Sequence, residues 1–274
     1  MVHRTVLDNG LRLLSEEVTG MPSVTVGIWV ENGSRDEPLP LNGISHFLEH
    51  LLFKGTARRT AGQIAQEIDA IGGALDAFTG KEYTCYYARV LSEHLPLALD
   101  LLTDIFLHSS FPQEEIERER SVICQEIAQG EDQPDELIGD LFHLDFWPEH
   151  PLSWPITGTI DSVSRLCRDD FLRYRAEQYC PQRVFVAMAG GASHTALVDA
   201  IGPALSSLTG MPSARQDSPP IARPGVSIHR RELEQTHLFL GMPCAPQLDP
   251  DWYATHLMNI ALAFEMSRKA VLGV

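Results

Sequence analysis

Two imidazoles and a carboxylate fall on one side of a single helical turn at His46-Phe47-Leu48-Glu49-His50. At about 100° per residue, Glu49 and His50 lie within roughly a third of a turn of His46, while Phe47, Leu48, Leu51 and Leu52 point the other way. A fold that accepts this turn must bury one face and keep the opposite, ligand-rich face at the edge of the core. Histidines at i and i+4 can share one divalent cation, and a carboxylate beside them can take a proton from metal-bound water. His-x-x-Glu-His is the signature of a hydrolytic zinc site. The competing reading is a surface helix that shows three polar side chains to water.

A catalytic zinc takes three protein ligands, so the chain must offer a third one elsewhere. The stretch from Gln113 to about Gln129 follows Phe111-Pro112 and is acidic in its first turn, as a helix N-terminus is. At helical spacing Ile116, Val122, Ile123 and Ile127 form an apolar stripe, with Glu117, Arg118, Arg120, Ser121 and Gln125 opposite. Glu119 and Glu126 lie on the stripe. Carboxylates are almost never buried without a partner, so the pair predicts a cation. Glu126 as third zinc ligand and Glu119 as the carboxylate that orients a ligand histidine satisfy both. Salt bridges to Arg or Lys are the alternative.

Composition excludes other classes. A net charge of -16 disfavours nucleic-acid binding and modestly favours basic peptides. No run of about 18 apolar residues offers a membrane span. Cys85, Cys124, Cys167, Cys180 and Cys244 are odd in number and lack Cys-x-x-Cys spacing, so they read as free thiols, not as a disulfide framework or a thiolate zinc site. Met1-Val2-His3-Arg4 runs straight into strand-like sequence with no signal or transit segment, and a cytoplasmic or already processed protein is expected.

Asp8-Asn9-Gly10 predicts a hairpin between Arg4-Leu7 and Leu11-Glu17, and Val24 to Val30 alternates as a strand. A Thr-capped helix is expected from about Thr60 to Ile71, then strands around Ala74-Phe78 and Tyr83-Val90. Helices follow near His94-Leu107, Gln113-Gln129 and Arg168-Gln178, then a strand over Arg183-Ala189 and a helix ending near Leu208. Hairpins interleaved with helices predict an α+β fold, an antiparallel-rich sheet covered by helices on one face. Residues 1–209 read as the first domain. Residues 210–225, with four prolines, read as a linker. From 226 to 274 strand patterns at Val226-Arg231 and Thr236-Gly241 and a helix at Trp252-Ala263 suggest an incomplete second domain of similar type. His143, Asp145, Glu149 and His150, beside Trp147, Pro148 and Pro151, read as ordinary surface residues of a loop.

Asn42-Gly43-Ile44-Ser45, His46 to His50 and Phe53-Lys54-Gly55-Thr56, together with Glu119 and Glu126 downstream, resemble the active-site blocks of the pitrilysin, insulysin and mitochondrial-processing-peptidase group of zinc peptidases. The resemblance extends to about Ala263. It implies that His46, His50 and Glu126 bind Zn2+, that Glu49 is the general base activating a zinc-bound water, and that two related halves close around a peptide. Gly72-Gly73-Ala74-Leu75-Asp76-Ala77-Phe78-Thr79 resembles the family's edge strand, which pairs with an extended peptide, so Asp76, Ala77 and Phe78 are expected at the substrate. Asp76 stands where the family usually has Asn, which removes an amide donor. After Asn259-Ile260-Ala261-Leu262 the chain departs from the family and reaches Val274 without most of the second half, including an arginine and a tyrosine that hold substrate there. A zinc endopeptidase acting on extended or presequence-like peptides is expected. The alternative is a non-catalytic or partner-dependent peptide-binding subunit, completed by a second subunit or half.

Overall fold

Alternating apolar residues build a six-stranded sheet in the order β1-β2-β6-β3-β5-β4. The strands are β1 (Val2–Val6), β2 (Arg12–Glu17), β3 (Ser23–Val30), β4 (Ala74–Thr79), β5 (Thr84–Leu91) and β6 (Val184–Gly190). All neighbours run antiparallel except β2 and β6, which pair in parallel from Arg12↔Phe185 to Glu17↔Gly190. The first hairpin closes at Gly10, whose φ of 91° suits a residue without Cβ. The computed structural model describes residues 1–212 and 218–266. The antiparallel-rich α+β architecture is the one expected.

One sheet face sends Val24, Val26, Ile28 and Val30 of β3, Tyr86 and Ala88 of β5 and Val184 and Val186 of β6 into the core. Helices cover that face. Among the described residues the α-helices are α1 (Ile44–Leu52), α2 (Ala61–Ala70), α3 (Leu95–His108), α4 (Gln113–Asp132), α5 (Pro134–Phe146), α6 (Ile160–Arg165), α7 (Arg168–Gln178), α8 (His194–Leu205) and α9 (Trp252–Met266), of which α5 and α9 do not belong to this cover. Among them α3 packs on β5 and α8, α8 on β2, and α1 against β4. Thr60 caps α2 as expected: its hydroxyl accepts from Gln63 N–H while Gln63 Oε1 accepts from Thr60 N–H. On the other sheet face Trp29 stacks on Phe185 with centroids 5.9 Å apart, and Phe78 meets Trp29 edge-on.

The described residues gather into two units, 1–127 with 155–212, and 128–154 with 218–266. The sheet and its helical cover belong to the first. In the second, Phe142 of α5 packs on Phe146 and Phe239, and Phe146 O accepts from Arg223 N–H. The strands expected at Val226-Arg231 and Thr236-Gly241 are absent there, and Val226, Ile228, Leu238 and Leu240 are exposed. Alternation needs a neighbouring strand to receive its N–H and C=O groups, and among the described residues none pairs with either segment. A second difference is α5. His143 and Asp145, expected in a loop, lie on this helix, which opens with Pro134, Asp135 and Glu136 in its first turn. Asp145 pairs with His229 at 3.2 Å, and His150 accepts from Leu152 N–H. The helix expected over Trp252-Ala263 is α9. Among the described residues no helix is long and apolar enough to cross a membrane.

Candidate metal centre

Helix α1 is fixed by its apolar face. Phe47, Leu48, Leu51 and Leu52 are fully buried, each stabilising the fold by about 1.5–3 kcal/mol. This leaves His46, Glu49 and His50 facing α4 and β4. On α4, Ile116, Ile123 and Ile127 are buried together with Glu119, whereas Val122 is exposed. Val122 stands one residue, or about 100°, before Ile123, and so falls off the stripe on which it was expected. Glu126 sits at the stripe's edge with its side chain 45% exposed, so it is not the buried carboxylate that the pattern suggested.

The expected ligand triad nevertheless converges. His46, His50 and Glu126 present ligand atoms that all lie within 4.8 Å of one another. His46 Nε2 stands 3.6 Å from Glu126 Oε1, and His50 Nε2 stands 3.9 Å from Glu126 Oε2. These separations are too long for hydrogen bonds. They come near the roughly 3.3–3.4 Å edge of a tetrahedron built from bonds of about 2.0–2.1 Å, the zinc–imidazole length. Two imidazoles and one carboxylate are also a donor set that zinc takes in hydrolytic sites.

The protonation states suit a ligand role. Burial, and then the neighbouring His50, push His46 down to about 4, so its imidazole is neutral near neutral pH. His50 Nδ1 lies 3.0 Å from Glu119 Oε2, which fixes the ring and leaves Nε2 toward Glu126. The other Glu119 oxygen accepts from Lys54 Nζ at 2.8 Å. Glu119 therefore has both partners that the sequence offered as alternatives, a histidine and a lysine. Lys54 lies just past the end of α1, and its contact with Glu119 forms only in the folded chain, so no sequence spacing marked it.

Glu49 is raised above the usual carboxylate range by burial, against the opposing effect of Thr79 Oγ1, which donates to Glu49 Oε2 at 2.5 Å. Thr79 closes β4 on the same sheet face as Ala77, two residues earlier, while Asp76 and Phe78 alternate to the other. β4 is an edge strand, paired through Asp76↔Tyr87, Ala77↔Tyr86 and Phe78↔Cys85 on one side only. Asp76 Oδ1 accepts from the Ala77 N–H at 2.8 Å, and Oδ2 from Tyr87 OH at 3.3 Å.

A helix-borne His-His-Glu triangle beside a sheet edge is the kind of scaffold on which metallopeptidases are built. Residues 12–160 match insulinase (peptidase family M16) and residues 165–270 match the peptidase M16 inactive domain; the chain belongs to peptidase family M16. It is 39% identical over 275 residues to an uncharacterized zinc protease of Mycobacterium leprae (strain TN), covering 98% of this chain and 61% of that protein. It is 40% identical over 276 residues to an uncharacterized zinc protease of Streptomyces coelicolor, covering 98% and 60%. The chain thus spans about 60% of the length of these relatives. The same fold occurs in a protease from Helicobacter pylori, with a TM-score of 0.75 at 23% identity over 81% of this chain and 54% of that one. It occurs again in a peptidase M16 inactive domain from Pseudomonas fluorescens, with a TM-score of 0.74 at 19% identity over 80% and 54%.

Proposed function

We propose that this chain is the zinc-binding part of an endopeptidase that hydrolyses extended peptides. The observation that carries the reading is the convergence of His46 Nε2 and His50 Nε2 on the two oxygens of Glu126. His46, His50 and Glu126 would hold the metal, with Glu119 orienting His50. Bound zinc supplies Lewis acidity, which polarises a carbonyl and makes water easier to deprotonate. Glu49 would take the proton and return it to the leaving amine, a role matched by a carboxyl that burial raises and Thr79 fixes in place. The free edge of β4 would add the peptide as a further strand, with Asp76, Ala77 and Phe78 along it.

The domain reading proposed with it places the catalytic body in residues 1–209, a linker in 210–225 and the start of a second domain in 226–274. The zinc proteases named above support the metal. The test is metal content together with cleavage of an unstructured peptide, with and without a chelator. About one zinc per chain and chelator-sensitive cleavage are expected; cleavage that survives metal removal refutes the reading. A second reading is a peptide-binding subunit that needs a partner for turnover, and the observation that favours it is the match of residues 165–270 to the peptidase M16 inactive domain. It predicts zinc uptake without cleavage until a complementing chain is added.

A further inference from the structure

Helix α1 carries both histidines of the triad, and the two rings are held in different ways. His50 has its Nδ1 against Glu119. The buried Nδ1 of His46 has no hydrogen-bond partner among the described residues, so no contact of that atom orients the ring. The position of His46 therefore depends on where the backbone of the first turn is placed.

That turn has an unusual anchor. The residue preceding α1 is Gly43, which has no side chain with which to cap the helix. The first-turn N–H groups need acceptors, because no earlier carbonyl in the helix faces them. The carboxylate of Glu37, buried at 3% exposure, supplies them from six residues upstream of Gly43. Its Oε2 accepts from Gly43 N–H at 2.8 Å and from Asn42 Nδ2 at 2.9 Å, and its Oε1 accepts from Ser45 N–H at 2.8 Å. Ser45 precedes His46 directly. Its hydroxyl meets Tyr174 OH at 2.9 Å, and Tyr174 OH accepts from Asn32 Nδ2 at 3.1 Å. Burial pushes the Glu37 carboxyl up to about 7, against the opposing hydrogen bonds from Ser45, Gly43 and Asn42 and the partial positive charge of the helix's free N–H groups.

The loop that bears Glu37 is also tied to the sheet edge. Ser34 N–H donates to Gly80 O and Arg35 N–H to Lys81 O, both in the turn that follows Thr79. Gly43 is closed in from the other side: a Cβ there would come within 2.6 Å of Thr157 O and 2.9 Å of Gly158 Cα. The start of α1 therefore cannot shift toward Gly158 to compensate for a lost anchor.

We infer that Glu37 is a positioning residue for the metal centre, holding His46 in register with His50 and Glu126 by fixing the first turn of α1. Glutamates thus secure both ends of the helix, Glu37 the backbone before His46 and Glu119 the ring of His50. Neither Gln nor Asp reproduces the Glu37 contacts. An amide places an NH2 against one of the N–H donors, and Asp is one methylene short of reaching both Gly43 and Ser45.

This inference rests on the metal reading proposed above, and the test separates the two. Zinc affinity is measured by chelator competition for the full chain and for Glu37→Gln and Glu37→Asp, with the visible spectrum of the cobalt(II)-loaded proteins and their Tm with and without zinc. Expected is a loss of zinc affinity of about 10- to 100-fold in Glu37→Gln, the range for removing an outer-sphere partner. An altered cobalt spectrum, a smaller zinc-induced rise in Tm and partial recovery in Glu37→Asp should accompany it. Should Glu37→Gln fail to fold, Glu37→Asp carries the test, with weakened zinc binding and an altered cobalt spectrum expected. Wild-type affinity and spectrum in a folded variant whose Tm falls equally with and without zinc overturn the inference. A wild-type chain that takes up no zinc overturns the metal assignment itself, and the inference with it.

Discussion

Glu119→Ala removes the carboxylate that His50 Nδ1 and Lys54 Nζ share at 3.0 and 2.8 Å. Two separate costs follow. Without metal, a lysine and an imidazole N–H lose a buried acceptor. Breaking a fully buried pair costs about 3–5 kcal/mol, but the Lys54 side chain is 29% exposed and can turn to water, which brings the expected loss down to about 1–3 kcal/mol. With metal, His50 loses the group that sets its ring, and affinity falls by about 10- to 100-fold, or about 1.4–2.7 kcal/mol. Denaturant unfolding at a fixed, saturating free-zinc concentration separates them, because zinc adds RT ln(1 + [L]/Kd) to stability. The metal-free variant should be less stable than wild type, and its zinc increment should also be smaller by about 1.4–2.7 kcal/mol. An unchanged zinc increment in Glu119→Ala would refute the idea that this carboxylate orients a ligand.

Glu49→Gln should retain about one zinc per chain while peptide cleavage falls by about 10²- to 10⁴-fold; metal analysis beside a rate assay decides it, and loss of the metal means that base and ligand roles are confused. Thr79→Val removes the donor that holds the Glu49 carboxyl down, so the acidic limb of the pH–rate profile should move to higher pH; an unmoved limb separates Glu49 from that ionisation. His46, pushed down to about 4 by burial, stays neutral in the metal-free fold where the unfolded chain protonates. Its contribution is complete above the unfolded value of 6.5 and is lost as pH falls toward about 4, a change on the order of 3 kcal/mol. Equilibrium unfolding of metal-free wild type and His46→Asn across that window should show a shallower slope in the variant; equal slopes contradict the assignment.

Helix α1 was legible in the sequence because one short turn combines a fully apolar face with His46, Glu49 and His50 aligned opposite it. Strands β3 to β6 were legible because their alternating residues do meet a covered sheet face. The same alternation failed at 226–241, where period alone does not provide a neighbouring strand. Helix α5 was missed because its histidine and aromatic residues hid the start signal at Pro134 to Glu136. Glu126 was selected for inward placement, and it reaches the site from a half-exposed position at the edge of α4. Contacts that close only in three dimensions were beyond the pattern: Lys54 with Glu119, Thr79 with Glu49 thirty residues away, and Glu37 under the first turn of α1. The helix pattern and the family likeness pointed to His46, His50 and Glu126, and the structure adds the side chains that surround them.

On the proposed reading, two imidazoles and one carboxylate, with none of the five free cysteines, bind a single zinc ion. X-ray absorption at the zinc edge of the zinc-loaded chain measures this directly. Nitrogen and oxygen neighbours at about 2.0–2.2 Å with an imidazole signature and no sulfur are expected. A sulfur shell near 2.3 Å, or a spectrum without imidazole, would contradict the assignment of His46, His50 and Glu126.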